Sequence, residues 1–222
     1  MRLAIAIDGP AGAGKSTIAK IVGEKYNLMY INTGAMYRAV TLCAMNKDIK
    51  PENIYELCSL VDSLEMHFDK EKLILNGEDI SSELTMPLIS NNVSNYAAIP
   101  EVRVKLVQMQ REISKKYNVI MDGRDIGTVV LKDANLKFFL TASAEQRAKR
   151  RFDELINRGI EVNYNTILED IIKRDYIDTN REVDPLTKAE DAIEIDSSYL
   201  NIHGVVDVIS KHIDVLLKSN KI

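Results

Sequence analysis

Gly9-Pro-Ala-Gly-Ala-Gly14-Lys15-Ser16 stands between an apolar run, Leu3-Ala-Ile-Ala-Ile7, and a segment in which Ile18, Ile21 and Val22 recur at helical spacing. The eight residues match G-x-x-x-x-G-K-[ST], and the flanks supply the strand and helix that this motif requires. The chemistry explains the residue types. Glycines let backbone N–H groups curl round an anion without Cβ clashes, and a helix starting near Gly14 aims its positive end at phosphate. Lys15 supplies a point charge for β- and γ-phosphates. Ser16 offers a hydroxyl oxygen to Mg²⁺, a hard ion. Gly9, Pro10, Ala11, Gly12, Ala13, Gly14, Lys15, Ser16 and Thr17 are therefore expected to hold a nucleoside triphosphate, ATP if the chain is a kinase. A glycine-rich turn that binds nothing is the plain alternative, at roughly one chance in twenty for a full match in this context.

Outward from the loop, residues 28–31 read as a second short strand, and Thr33-Gly34 turns into a helix over 35–45. Strand, helix, strand, helix predicts a parallel α/β sheet. The rhythm resumes with Asn118-Val-Ile-Met-Asp122, residues 136–140 and Ile193-Glu-Ile-Asp196, giving a five-stranded parallel sheet flanked by helices. Between them, 52–64, 88–98 and 101–116 have helical character, punctuated by Pro87 and Pro100. Residues 64–68 and 72–75 alternate like a hairpin, with Asn76-Gly77 as turn chemistry. One domain over 1–222 is expected: a core of 1–45, 101–142 and 190–222, an insertion of about 46–100 carrying a small antiparallel sheet, and a short lid of about 143–185. In the last helix Ile202, Val205, Val206, Ile209, Ile213, Leu216 and Leu217 form one stripe, expected to pack in the core.

Composition limits the partners. The chain has 222 residues, 45% apolar and 28% charged, a globular balance. Its 29 Lys and Arg against 33 Asp and Glu give a net charge of −4, which argues against a nucleic-acid polymer as ligand but leaves room for a small anion. Cys43 and Cys58 form no CxxC pair, which fits a reduced cytoplasmic protein. No apolar stretch reaches the ~18 residues of a membrane span, and the first strand meets Asp8 too early for a secretory signal. A monomer with no membrane partner is expected.

A phosphate loop does not name a reaction. A GTPase should carry N-K-x-D, and the nearest match, Asn46-Lys47-Asp48-Ile49, lacks the final Asp. Motor-ATPase sensor elements are not recognisable either, which leaves transfer to a small acceptor. Eleven of the 29 basic residues are Arg. Arg147, Arg150 and Arg151 share one helix, and Arg174 and Arg181 lie seven apart. Planar guanidinium forks suit phosphate, although a solvated face paired with Glu145, Asp153, Glu154 and Asp178 explains the 147–151 group about equally well. Asp122 ends an apolar strand, where a carboxylate would hold Mg²⁺ or its water. Gly123-Arg124-Asp125 follows at the carboxyl end of the sheet, where ligands bind in open α/β folds.

Four blocks then resemble one family. Ile7-Asp-Gly-Pro-Ala-Gly-Ala-Gly-Lys15, Asn32-Thr-Gly-Ala-Met-Tyr-Arg38, Asp122-Gly-Arg-Asp-Ile-Gly-Thr-Val-Val130, and Arg174 through Asn180-Arg181 are similar to bacterial cytidylate kinases, in order and spacing over nearly the whole chain. The third block discriminates best, because other nucleoside monophosphate kinases share the first loop but as a rule not that block. The resemblance implies Thr33 and Asp178 at the ribose. It implies Arg38, Arg124, Arg174 and Arg181 on the acceptor or transferring phosphates, and Ser94, Arg103 and Asp125 on the cytosine edge. It also implies a short lid, from which Arg147 and Arg151 reach ATP, and an enlarged monophosphate-binding insertion. Cytosine offers an amino donor to a carboxylate such as Asp125, where uracil offers a carbonyl. Asn32 stands where many relatives carry Asp, and its amide still hydrogen-bonds.

The expected reaction is transfer of the γ-phosphoryl group of ATP to CMP or dCMP, with Lys15, Arg124, Arg174 and Arg181 neutralising charge. Ser16 and Asp122 serve Mg²⁺, Asp122 through water. The acceptor phosphate is already anionic near neutral pH, its second pKa being about 6, so no general base is needed. His67, His203 and His212 are read as structural or surface residues. Other acceptors (UMP, shikimate, gluconate) and a nucleotide-dependent switch are the competing readings, and a scaffold leaves the phosphate loop unexplained.

Overall fold

The apolar run before the phosphate loop is buried from Ile5 onward, because parallel strands covered on both faces need continuous hydrophobic sequence. In the computed structural model, which describes residues 2–219, it forms β1, Ala4–Asp8. Next come α1 (Lys15–Tyr26), β2 (Met29–Asn32), α2 (Thr33–Asn46), α3 (Ile54–Ser63), β3 (Met66–Asp69), β4 (Lys72–Leu75), β5 (Glu78–Asp79), α4 (Pro87–Ala97) and α5 (Pro100–Ser114). The chain continues through β6 (Val119–Gly123), a wide π-type turn at Ile126–Val130, β7 (Leu136–Thr141), α6 (Ala144–Asn157), α7 (Tyr164–Asn180), β8 (Ile193–Asp196) and α8 (Ile202–Ser219).

The main sheet has strand order β2-β6-β1-β7-β8, all parallel, as expected from the alternating rhythm. Its register aligns the carboxyl ends: Asp8 lies beside Gly123, and Asn32 beside Asp122. One face packs Ile5, Ile7, Phe138 and Leu140 against α1 and α8 through Ile18, Val22, Val205, Val206, Ile209 and Ile213. The other face carries α2 and the inserted elements, with Met36, Val40, Leu57, Leu73, Val93 and Leu106 in one continuous core. A smaller cluster of Ala148, Leu155, Ile167 and Ile171 zips α6 to α7. Among the described residues no helix is long and apolar enough to cross a membrane.

Three details differ from the sequence reading. The inserted sheet has three strands, β3-β4-β5, and Asn76-Gly77 turns β4 into β5. Both turn residues have positive φ (49° and 87°), as a two-residue hairpin turn demands. The β3–β4 turn is made instead at Lys70, whose φ is 54°. Second, the helix that the sequence pattern places over 164–177 runs on to Asn180 as α7, so Arg181 is its C-cap. Third, the α8 stripe is buried only in its middle. Ile202 and Leu217, at its two ends, are 48% and 39% exposed.

Candidate active site

The phosphate loop takes its shape from two close approaches. Gly9 has φ +143°, and a Cβ there would lie 2.0 Å from the Leu140 carbonyl oxygen on β7. Gly123 permits the second: a Cβ on it would sit 2.7 Å from Thr33 Oγ1. Without side chains at these points the loop folds back over the sheet edge and α2 reaches β6. Thr33 Oγ1 donates to the Asp122 carbonyl at 2.7 Å, which locks that contact. Helices α2, α6 and α7 begin under side-chain caps from Asn32, Ser143 and Asn163. Helix α1 begins at Gly14 with none, so its first-turn N–H groups face the loop as an anion receptor.

Lys15 is buried, and its Nζ donates to the Pro10 carbonyl at 2.7 Å. Burial, then the nearby Arg124, hold its ammonium well below the usual lysine range. The same crowding acts on its neighbours. Burial and Arg124 push Arg174 down to about 10, and burial lowers Arg38 against the pull of Asp122, with Arg124 adding to the lowering. Mutual repulsion among Lys15, Arg38, Arg124 and Arg174 is what a bound polyphosphate would relieve. The Arg174 Nε is buried without a hydrogen-bond partner.

Asp122 receives two hydroxyls: Ser16 Oγ at 2.8 Å on Oδ2 and Tyr30 Oη at 2.9 Å on Oδ1. These hard oxygens beside the phosphate loop match the donor set that Mg²⁺ prefers. Among the described residues no three His, Cys, Asp or Glu side chains converge on a metal, so an ion here would complete its shell from phosphate and water.

A second cluster lies on the acceptor side. Asp178 Oδ1 accepts from Ser94 Oγ at 2.8 Å, and Oδ2 accepts from Arg124 Nε at 2.8 Å, with Arg174 Nε at 3.9 Å. Burial pushes the Asp178 carboxyl up, but Arg124 and Arg174 outweigh it and hold it below the usual range. Asp125 accepts from Arg103 Nη2 at 2.5 Å and from Arg181 Nη2 at 3.3 Å. Burial raises its carboxyl, against the pull of those two arginines. Asn32 Oδ1 caps α2 through the Ala35 N–H at 2.9 Å and meets Arg38 Nη2 at 3.5 Å, so the amide fills the capping role of a carboxylate at this position.

Thus Ala11, Gly12, Lys15, Ser16, Thr33, Arg38, Ser94, Arg103, Asp122, Arg124, Asp125, Arg174, Asp178 and Arg181 line one pocket. It adjoins a cleft of about 1580 Å³ that extends over Ala13, Gly14, Thr17 and Arg151. Arg147 sits apart. Its guanidinium donates to the carbonyls of Ala142 (2.9 Å) and Ala11 (3.0 Å) and to Asp175 (2.6 Å), bracing the loop from the lid side. Arg151 pairs with Glu154 at 2.9 Å and reaches the Thr85 carbonyl of the insertion at 3.3 Å. His67 and His203 are exposed, and His212 rests edge-on against Phe138.

The family model for cytidylate kinase matches residues 5–215. The chain belongs to the cytidylate kinase family. It is 66% identical to the cytidylate kinase of Clostridium perfringens (strain SM101), over 96% of this chain and 98% of that one. It is 58% identical to that of Clostridium tetani (strain Massachusetts), over 100% and 98%. Membership of the cytidylate kinase family makes it a nucleoside monophosphate kinase, a transferase. Among solved structures it shares its fold with a shikimate kinase from Bacteroides thetaiotaomicron, at TM-score 0.50 and 13% identity over 96% and 99% of the two chains.

Three residues of this cytidylate kinase site escaped the sequence reading. Asp8 is buried and accepts from the Ile126 and Gly127 N–H groups at 2.8 and 2.7 Å, tying β1 to the turn after Asp125. A charge ending an apolar strand was its only signal. Tyr30 reads as strand core, and its hydroxyl contact is visible only in three dimensions. Asp184 lies in a loop with no motif, yet binds Arg103 at 3.0 Å.

Proposed function

We propose that this kinase transfers the γ-phosphoryl group of ATP to the phosphate of CMP or dCMP, giving ADP and CDP or dCDP. The observation that carries the reading is the juxtaposition of a buried carboxylate, Asp125, shared by Arg103 and Arg181, with a cationic cradle that runs into the phosphate loop. The cradle suits two polyanions end to end, and Asp125 suits an exocyclic amino group.

The ATP phosphates lie on the α1 N-terminus and the loop N–H groups, with Lys15 released from the Pro10 carbonyl to meet them. Arg38, Arg124, Arg174 and Arg181 orient the acceptor phosphate and spread the charge that develops during in-line transfer. Thr33 and Asp178 face the sugar. The acceptor oxygen is already ionised near neutral pH, so no residue removes a proton. Ser16 and Asp122 would hold Mg²⁺, which when bound adds charge neutralisation on the phosphates. Arg151, bonded to the insertion at Thr85, marks where the lid meets the acceptor side, excluding water that would otherwise compete for the phosphoryl group. The protein serves pyrimidine nucleotide metabolism as a cytoplasmic monomer.

An acceptor panel tests the reading: ADP release from ATP and Mg²⁺ with CMP, dCMP, UMP, AMP, GMP, shikimate and gluconate. CMP and dCMP are expected to give the highest kcat/KM. A higher value for UMP or for a non-nucleotide acceptor would overturn it.

A further inference from the structure

Arg103 is a fully buried cation held on every side. Its side chain is 1% exposed, and every guanidinium nitrogen is spoken for. Nη2 goes to Asp125 Oδ2 at 2.5 Å, Nη1 to the Ala97 carbonyl at 3.3 Å, and Nε to Asp184 Oδ2 at 3.0 Å, while the group lies over the Tyr37 ring at 5.6 Å. Asp184 also governs Arg181, whose Nε donates to the Asp184 carbonyl at 2.7 Å, with Nη2 bound to the same oxygen. One residue thus restrains both arginines that meet Asp125, one through its side chain and one through its backbone. Its position is held in turn. Asp184 has φ +49°, and two residues on, the Leu186 N–H donates to the Asp178 carbonyl at 2.8 Å.

The Nε contact has a geometric consequence. An arginine fork and a carboxylate prefer to pair through two parallel hydrogen bonds. Arg103 makes one bond to Asp125, because along the shared Nε–Nη2 edge Asp184 takes Nε and leaves only Nη2 for Asp125. Asp125 therefore keeps acceptor capacity for a base amino group. If Nε were free, that edge could roll onto Asp125 and add a second bond at Oδ1, which already accepts from Arg181, using up the remaining acceptor capacity.

We propose that Asp184 is a positioning residue for acceptor selectivity, keeping Arg103 single-bonded to Asp125 so that the pair presents a fixed donor–acceptor edge to a pyrimidine. This rests on the CMP reading above and names a determinant of it outside the base-contacting set.

The test compares Asp184→Gly and Asp184→Asn with wild type by steady-state kinetics on CMP, UMP and ATP. Glycine deletes the carboxylate while tolerating the left-handed backbone, and asparagine keeps both that tolerance and an acceptor oxygen for Nε. The glycine variant is expected to raise KM for CMP by about tenfold and to lower the CMP-to-UMP ratio of kcat/KM by a similar factor, the scale of one charge-assisted hydrogen bond. Its kcat should stay within about threefold of wild type and KM for ATP should not move, a split that general loosening would not give. The asparagine variant should raise KM for CMP by about threefold and so carries the test even if glycine impairs folding. An unchanged ratio in both variants, or parallel losses that include KM for ATP, would overturn the role of Asp184. A wild-type enzyme without preference for CMP would overturn the acceptor assignment itself.

Discussion

Arg103 and Asp125 form a buried ion pair at 2.5 Å, their side chains 1% and 6% exposed. Breaking such a pair from one side strands the other charge, at a cost of about 3–5 kcal/mol. Here the cost is divided unequally. Asp125→Ala leaves Arg103 with Asp184, whereas Arg103→Ala leaves Asp125 with the longer contact to Arg181. Chemical denaturation is expected to rank Arg103→Ala below Asp125→Ala in stability. Of the two, Asp125→Ala should retain measurable turnover while losing discrimination between CMP and UMP. Unchanged selectivity in that variant would refute base reading by Asp125.

Lys15 is costly to the fold and needed by the chemistry, because its ammonium is buried among Arg124 and Arg174. Lys15→Met removes a buried charge and keeps the aliphatic stem. Turnover should fall by about two orders of magnitude or more, the scale of a lost preorganised donor, with the melting temperature unchanged or raised. A drop in melting temperature would contradict the account of Lys15 as a strained ligand.

Arg124 is tethered by Nε to Asp178 at 2.8 Å and by Nη1 to the Gly123 carbonyl at 3.2 Å, so its fork is held before any substrate arrives. Arg124→Ala or Arg181→Ala should cost about 2–4 kcal/mol of transition-state stabilisation, read from kcat/KM. Near-normal rates in both variants would remove the arginines from the mechanism.

Asp8 sets a pH signature. Burial lifts its carboxyl from 3.8 to about 6, against the downward pull of the Gly127 and Ile126 N–H groups. The folded chain keeps this proton over a range where the unfolded chain has lost it. Stability from the group is complete below the unfolded value, and falls away as pH rises to about 6, by on the order of 3 kcal/mol. Asp8→Asn does not titrate. Urea unfolding at about pH 4 and about pH 7.5 should therefore show the variant gaining on wild type by that order as pH rises. A pH-independent difference would contradict the buried carboxyl.

What the chain discloses by itself follows from how local each feature is. The phosphate loop is readable because its glycines, Lys15 and Ser16 are contiguous and flanked by a strand and a helix. The five parallel strands are readable from apolar runs such as Val119–Gly123. Asp125 and the arginines could be singled out, but that Arg103 and Asp184 meet across 81 residues could not. Asn76-Gly77 was legible as a turn, not as the junction with a third strand, since the two residues of β5 (Glu78–Asp79) carry no hydrophobic pattern. Arg147 matched its helix neighbours in sequence, and only packing separates its bracing contact with the Ala11 carbonyl from the cleft-lining Arg151.

The most direct test follows the γ-phosphoryl group itself. With terminally labelled ATP, Mg²⁺ and CMP, single-turnover quenching is expected to place the label in the β-phosphate of CDP, with inorganic phosphate a minor product. Label released as inorganic phosphate at the same rate with and without CMP would contradict phosphoryl transfer and reveal a hydrolysing nucleotide switch.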